Sequence, residues 1–430
     1  MKKAPKTRFL PYQEEWASKR FADVFSVLPN NTLSRAELSN EAGTVKNVHY
    51  GDVLIKFGEY LDAAKIDIPF IASDELAEKW KSAALQDGDV VMADTAEDTT
   101  AGKCTEIGNV RDDIRDDIIV SGLHTIPLHP LYKFSEGYLG YYMNSDAFHD
   151  QLIPLMQGTK VTSISKSYLA DTELRFPADP AEQESIAKAL YSLDEIITAQ
   201  KCKCEKLVAL KAAYLDKMFP KAGCDAPVLR VSGFSKPWSA MRIKEITTEK
   251  LSNGIINHPG NEDSFVKHIN VTNMYTPDKV HVKDLTYSAY DDIAVERCNV
   301  EYGDIFMTRS SVKPEGIAEP NVLLDAGKFV FDDHLIRMKI NQKENDPLFV
   351  KISLETPFLR RQFISRSKTA AFTTIGQNDI VDCYICLPEL PEQKKIAALF
   401  SNIDSLITLH QRKLEKLLQF KQAMMHNMFV

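Results

Sequence analysis

The chain has 430 residues, 44% hydrophobic and 26% charged, with 18 Gly, 20 Pro and a formal net charge of -8. At roughly 150 residues per domain this length holds two or three domains, each large enough to bury a core, which excludes a disordered chain and a collagen-like fibre. The longest apolar runs fall far short of the roughly 20 residues that cross a bilayer, and Met1–Arg8 is basic with no apolar segment behind it, so a soluble, unexported, cytoplasmic protein is expected.

Residues 1–178 read as a first globular part. Short β-branched and aromatic runs bounded by Gly, Pro, Asn and Asp predict strands at Asp89–Met92 and Ile114–Val120, and a helical stretch follows over Tyr138–Leu152. Residues 179–222 read as one long helix. Residues 223–388 form a second globular part, with strands at Lys328–Phe331 and Leu335–Ile340 and a helical stretch over Phe349–Ile364, and residues 389–430 are a second long helix. The fold class is α+β, with strands first and helices packed at one end of each part.

The helices carry an internal repeat. Glu182-Gln183, Ile186-Ala187, Leu190, Leu193-Asp194, Ile197-Thr198, Lys203, Glu205-Lys206-Leu207 and Met218-Phe219 recur, without a gap and at an offset of 210, as Glu392-Gln393 through Met428-Phe429. Upstream the match weakens but keeps its order: Trp16 and Arg20 with Trp238 and Arg242, Gly88-Asp89 with Gly303-Asp304, His124 with His334, and Asp171 and Pro177 with Asp382 and Pro388. The chain is therefore two copies of one module, a variable globular part followed by a helix.

Along each helix the apolar positions alternate in steps of three and four, the a/d seam of a coiled coil. Ile186, Leu190, Leu193, Ile197 and Leu207 are the pairing residues of the first copy, and Ile396, Phe400, Ile403, Ile407 and Leu417 those of the second. Both seams break at the same places, Gln200 and Lys211 in one copy and His410 and Lys421 in the other. Each helix opens at a proline, Pro180 or Pro391, with a glutamate in the first turn. About 38 residues at about 1.5 Å each make a rod of nearly 60 Å. Antiparallel pairing of the two would relate the globular parts by a pseudo-twofold axis.

Catalytic motifs are scarce. Neither a phosphate-binding Gly-x-x-x-x-Gly-Lys-Ser/Thr loop nor a Gly-x-Gly-x-x-Gly turn is present, and no Asn/Asp-Pro-Pro-aromatic methyltransferase motif. Glu392-Gln393-Lys394 has a nuclease-like spacing, but its repeat copy lacks the lysine. Cys202/Cys204 and Cys383/Cys386 are not repeated, and the seven scattered cysteines fit free thiols in a reducing compartment. His124 and His334 are the best isolated polar pair. No catalytic and no metal-binding residues are expected.

Two divergent domains, each followed by a helix opening Pro-(Ala)-Glu-Gln-x-x-Ile-Ala and continuing to (Leu/Ile)-Asp-x-x-Ile-Thr, closely resemble the DNA specificity (S) subunit of type I restriction-modification enzymes. The resemblance implies two target recognition domains, 1–178 and 223–388, each reading half of a bipartite double-stranded DNA target. It makes the helices at 179–222 and 389–430 conserved spacers that form an antiparallel coiled coil, set the half-site spacing and dock two methyltransferase (M) subunits. It implies restriction (R) subunits as further partners and no membrane. It gives this subunit no catalytic centre and no cofactor, S-adenosylmethionine, ATP and Mg belonging to the partners.

Candidate DNA contacts are cations, hydroxyls and amides in loop-like stretches: Thr159, Lys160, Ser165 and Lys166 in the first domain, and Arg309, Lys313, Arg366, Lys368, Thr369, Gln377 and Asn378 in the second. The competing readings are a coiled-coil adaptor with two ligand-binding domains and no DNA role, and a stand-alone nuclease or methyltransferase. With 60 acidic against 52 basic residues, the lone subunit is expected to bind DNA weakly and to need its methyltransferase partners for tight binding.

Overall fold

The computed structural model describes residues 4–41, 43–110, 118–158, 160–261, 263 and 265–430. The chain divides into two compact units, 1–199 with 414–430, and 200–413. Each unit therefore contains most of one globular part, the start of one long helix and the end of the other.

The first unit is built around a five-stranded sheet. Its central strand, Val90–Ala93, is buried along its whole length and lies antiparallel to Thr125–Pro130 on one side and Cys104–Gly108 on the other. The second unit repeats this core: Ile305–Thr308, also fully buried, lies antiparallel between Leu335–Met338 and Pro320–Val322. Each unit adds a parallel pair, Val45–Val48 with Ile118–Ser121 and Val266–Ile269 with Phe329–Phe331. The continuous apolar runs of Val90–Ala93 and Phe329–Phe331 follow from burial on both faces.

The recurrent Gly-Asp pair is explained by the turn that starts the central strand. Gly88 and Gly303 adopt φ of 87° and 88°, which only glycine takes readily. Asp89 then accepts the Gln86 backbone N–H at 2.8 Å and Asp304 that of Glu301 at 3.0 Å, closing each turn.

The helical stretches expected over Tyr138–Leu152 and Phe349–Ile364 are each broken in two. The first is Tyr138–Met143 and Asp146–Leu152, the second Pro347–Glu355 and Pro357–Arg366. Pro357 cannot continue the preceding helix, and Thr356 caps the next one by accepting the Leu359 N–H. Short helices are also interleaved among the strands, at Tyr50–Ile55, Asp74–Trp80 and Asp292–Cys298, so the expected strands-first order is corrected. Of the predicted strand Ile114–Val120, residues 114–117 lie outside the described residues, and a strand runs over Ile118–Ser121.

The first long helix runs Pro180–Lys217 and the second Leu390–Met428. In each unit the start of one pairs antiparallel with the end of the other. Lys421 lies 2.6 Å from Asp194 and 2.7 Å from Glu59 in the first unit, and Lys211 lies 2.7 Å from Asp404 and 3.7 Å from Glu355 in the second. Gln200 donates to His410 at its ring nitrogen, 2.7 Å, and at its carbonyl, 2.8 Å. The interruptions of the apolar seam are thus polar pairs that meet in only one register. Burial pulls both ammonium groups down, but the carboxylates outweigh it and hold them above their ordinary range.

Ile186 and Leu190 pack with Met428 and Phe429 in the core of the first unit, and Ile396 and Phe400 with Met218 and Phe219 in that of the second. Leu193, Ile197, Ile403 and Ile407 are buried, whereas Leu207 and Leu417 are only half-buried. The terminal Met-Phe of each repeat is a plug. Phe429 sits edge-on to Tyr138 and Tyr142, and Phe219 meets Trp238, Phe349 and Phe400.

The Glu-Gln motif has a structural role in both copies. Glu182 is clamped by Arg8 through two hydrogen bonds of 2.6 and 2.8 Å, and Glu392 by Arg230 through two of 2.8 Å. Gln183 accepts the Ser135 N–H and Gln393 that of Asp346, each donating in turn to a carbonyl just before its helix, Pro177 or Pro388. The junction behind each plug is also repeated: the Thr7 N–H meets the Asn427 carbonyl at 3.0 Å, and the Leu229 N–H meets that of Lys217 at 2.8 Å.

Two outcomes follow. Lys421→Ala strands the Asp194 and Glu59 carboxylates and should cost about 3–5 kcal/mol, measured by urea unfolding. Burial raises the Asp304 carboxyl to about 6, so its ionisation opposes folding: its stability contribution is full below about pH 4 and is lost as pH rises through 6. Asp304→Asn should therefore be more stable than the parent by about 1–3 kcal/mol at pH 8, a gain that vanishes near pH 4.

Candidate nucleic-acid interface

At one end of each central strand the chain leaves the main sheet and builds a small polar ladder. In the first unit Thr95–Ala96 pairs with Thr162–Ser163. In the second, Ser310–Ser311 pairs with Thr373–Thr374, which pairs in turn with Lys368–Thr369. The stretches around Arg309 and Lys368, 59 residues apart in sequence, are thereby brought together.

The two ladders are anchored by equivalent bonds. The Ile164 N–H donates to the Asp94 carbonyl at 2.8 Å and that of Ile375 to the Arg309 carbonyl at 3.2 Å. Asp94 N–H meets the His124 carbonyl at 3.1 Å and Arg309 N–H that of His334 at 2.8 Å, which puts both repeated histidines beside the ladders. An asparagine closes each edge, the loop residue Asn30 accepting from Lys166 at 3.3 Å and Asn253, on the strand Ser252–Asn253, from Gln377 at 2.6 Å. Sequence reading missed Thr95, Asn30 and Asn253, because each joins the edge only through pairing over a long sequence distance.

Lys160, Ser165 and Lys166 are exposed in the first unit, while Thr159 lies outside the described residues. Arg309, Lys313, Lys368, Thr369 and Asn378 are exposed in the second, with Gln377 half-buried. Arg366 stands apart: at the end of its helix it turns to the Asp382 carbonyl, 3.4 Å away, and not to the ladder. Among the described residues, Lys160, Lys166, Arg309, Lys313 and Lys368 have no carboxylate within 4 Å. Their charge is therefore available to an external anion, unlike that of Arg8 and Arg230, which glutamates engage.

Each ladder also carries an exposed apolar tip at the same repeat position, Val161, 51% exposed, and Phe372, 57% exposed. The first tip depends on Gly158, at φ 110°, where a Cβ would lie 1.9 Å from the Val161 carbonyl oxygen. In the second unit Arg360 braces the turn that follows Ser310–Ser311. Its guanidinium donates to the Ala318 carbonyl at 2.8 Å and the Glu315 carbonyl at 2.6 Å, holding Ala318 at a left-handed φ of 52°.

The two units thus carry equivalent polar ladders, built by duplication on paired helices. Residues 299–419 match the type I restriction modification DNA specificity domain. Over 98% of its length the chain is 20% identical to a protein of Methanocaldococcus jannaschii named as the specificity subunit of the type I restriction enzyme MjaX, covering 94% of that relative. The crystal structure of a type I restriction-modification S subunit from M. genitalium shares the fold at a TM-score of 0.61 and 14% identity, over 99% of both chains. A chain from a structure addressing complex assembly and conformational transition of the type I system matches at 0.52 and 16%, over 96% of this chain and 98% of that one. The second copy of the module thus carries a match to the type I restriction modification DNA specificity domain, and the whole chain has the fold of type I S subunits.

Arg360→Met should release the strained Ala318 turn. Amide hydrogen exchange across 311–318 should accelerate, with a global loss of only about 1–2 kcal/mol.

Proposed function

We propose that the chain is the sequence-reading subunit of a type I restriction-modification complex, without catalytic chemistry of its own, each unit contacting one half of a bipartite double-stranded DNA target. The observation that carries this reading is the pair of equivalent ladders with unpaired cations. Lys160, Lys166, Arg309, Lys313 and Lys368 suit phosphates, while Gln377, Asn378, Ser165 and Thr369 suit base edges. Val161 and Phe372 suit apolar contact with a base or a thymine methyl. Residues 1–178 and 223–388 are the recognition domains, and 179–222 and 389–430 the spacer helices that hold the half-sites about one duplex turn apart. Direct readout needs no cofactor, so S-adenosylmethionine, ATP and Mg fall to the partner subunits. Among the described residues no helix is long and apolar enough to cross a membrane, in keeping with work on cytoplasmic DNA.

Methyltransferase docking on the helices is supported by apolar side chains left exposed at repeated positions. Ile196, Leu418 and Phe420 stand out in the first unit, Leu406, Val208 and Leu210 in the second. Equivalent patches suit two copies of one partner. Phe420→Glu and Leu210→Glu should each leave folding intact and remove one bound methyltransferase subunit, and the double variant both, by analytical ultracentrifugation. A patchless stoichiometry, unchanged by both variants, would refute this assignment.

Footprinting of the reconstituted complex tests the central reading: two short protected half-sites are expected, and no specific protection would sink it. Adding one heptad to both helices should lengthen the spacer and leave the half-sites unchanged. Lys368→Ala should weaken binding across sequences and lower the salt slope by about 1.

A further inference from the structure

His268 is fully buried on the strand Val266–Ile269, and neither ring nitrogen has a hydrogen-bond partner. Two unsatisfied polar atoms in an apolar core cost about 1–3 kcal/mol each, and such groups in native proteins usually answer to a water or an ion. The ring is not aimed at random. Its Nε2 lies 3.7 Å from Oδ2 of Asp332. On the outer side of that carboxylate, Nδ1 of His334 lies 2.9 Å from Oδ1 of Asp332 and 3.0 Å from Oδ1 of Asp333. Asp332, Asp333 and His334 offer ligand atoms within 4.8 Å of one another.

We propose that His268, Asp332, Asp333 and His334 form a binding site for a first-row divalent cation, zinc in the first instance. Two imidazoles and two carboxylates are a common donor set for zinc, with metal–ligand distances of about 2.0–2.2 Å. A tetrahedral site of that size separates its ligand atoms by about 3.3 Å. The separations of 2.9, 3.0 and 3.7 Å lie about that value, while Asp332, Asp333 and His334 converge within 4.8 Å without His268, whose ring must therefore swing further inward for closure. His334 is 64% exposed and Asp333 40%, which leaves an entry path, while His268 closes the inner side. The ligands lie 64 residues apart in sequence, so no compact ligand-spacing motif announces them.

The site belongs to the second unit alone. At the matching positions the first unit has Asn47 in place of His268, and Gly122, Leu123 and His124 in place of Asp332, Asp333 and His334, leaving one histidine without its companions. The cation would tie the strand Val266–Ile269 to the turn at 332–334, whose His334 carbonyl accepts the Arg309 N–H. It would also neutralise Asp332 and Asp333 beside a ladder of cations.

The test uses the full-length chain with any affinity tag removed, dialysed against Zn2+ and analysed for bound metal, and loaded with Co2+ for its visible spectrum. The parent should retain one equivalent at micromolar zinc, show a ligand-field spectrum of tetrahedral type, and melt at a higher temperature with zinc than without. His334→Ala, a surface change, and Asp332→Asn should each weaken binding at least tenfold, His268→Asn likewise, and His124→Ala should match the parent. No stoichiometric metal on the parent, or parent-like binding by His334→Ala, would overturn the site and leave a plain His–Asp hydrogen-bond network. Metal content is read without DNA, so failure here is separate from failure of the DNA-reading function.

Discussion

A half-buried lysine held between two carboxylates, built twice, is the interaction on which the rest depends. An apolar seam alone tolerates slippage by a heptad, since one leucine packs much like another. Lys421 between Asp194 and Glu59, and Lys211 between Asp404 and Glu355, do not, because a shifted register leaves charges buried and unpaired. Each Asp is on the partner helix and each Glu in a globular part, so one cation fixes helix to helix and helix to domain. The Arg8–Glu182 and Arg230–Glu392 clamps then fix the first turn of each helix to its own upstream arm. With both ends set, the ladders at 95–96 and 310–311 stand at determined places on their units.

The repeat was legible in the sequence because duplication preserves residues that do structural work. Gly88 and Gly303 need their left-handed turns, Glu182 and Glu392 their arginines, and Phe219 and Phe429 their aromatic sockets. The interruptions of the seam were visible as well, but their meaning was not, since a lone lysine in a heptad does not say which aspartate it meets. The ladders were half-visible: composition marked Lys160–Lys166 and Arg366–Asn378 as polar loops, yet pairing with 95–96 or 310–311 is a long-range event. Arg366 shows the limit of that reasoning, being a cation in the right interval that turns to a backbone carbonyl elsewhere.

The formal charge of -8 conceals a division of labour. Much of the buried acidity is engaged, in the arginine clamps, the lysine triads and the turns at Asp89 and Asp304. Among the described residues, the cations of the ladder edges are left without carboxylates. A net count averages over these populations, although only the second meets an external polyanion.

The repeated junction behind the plugs carries a topological consequence. In the second unit, the Leu229 N–H and the Lys217 carbonyl are joined through the linker 218–228; in the first, Thr7 and Asn427 make the same bond from opposite ends of the sequence described. The fold is therefore closed under cyclic rearrangement. A gene that fused Val430 to the opening residues and began instead within 221–226, where the linker is exposed, would encode every interaction described above in a different chain order. Evolution is free to move the ends of such a protein without changing what it reads.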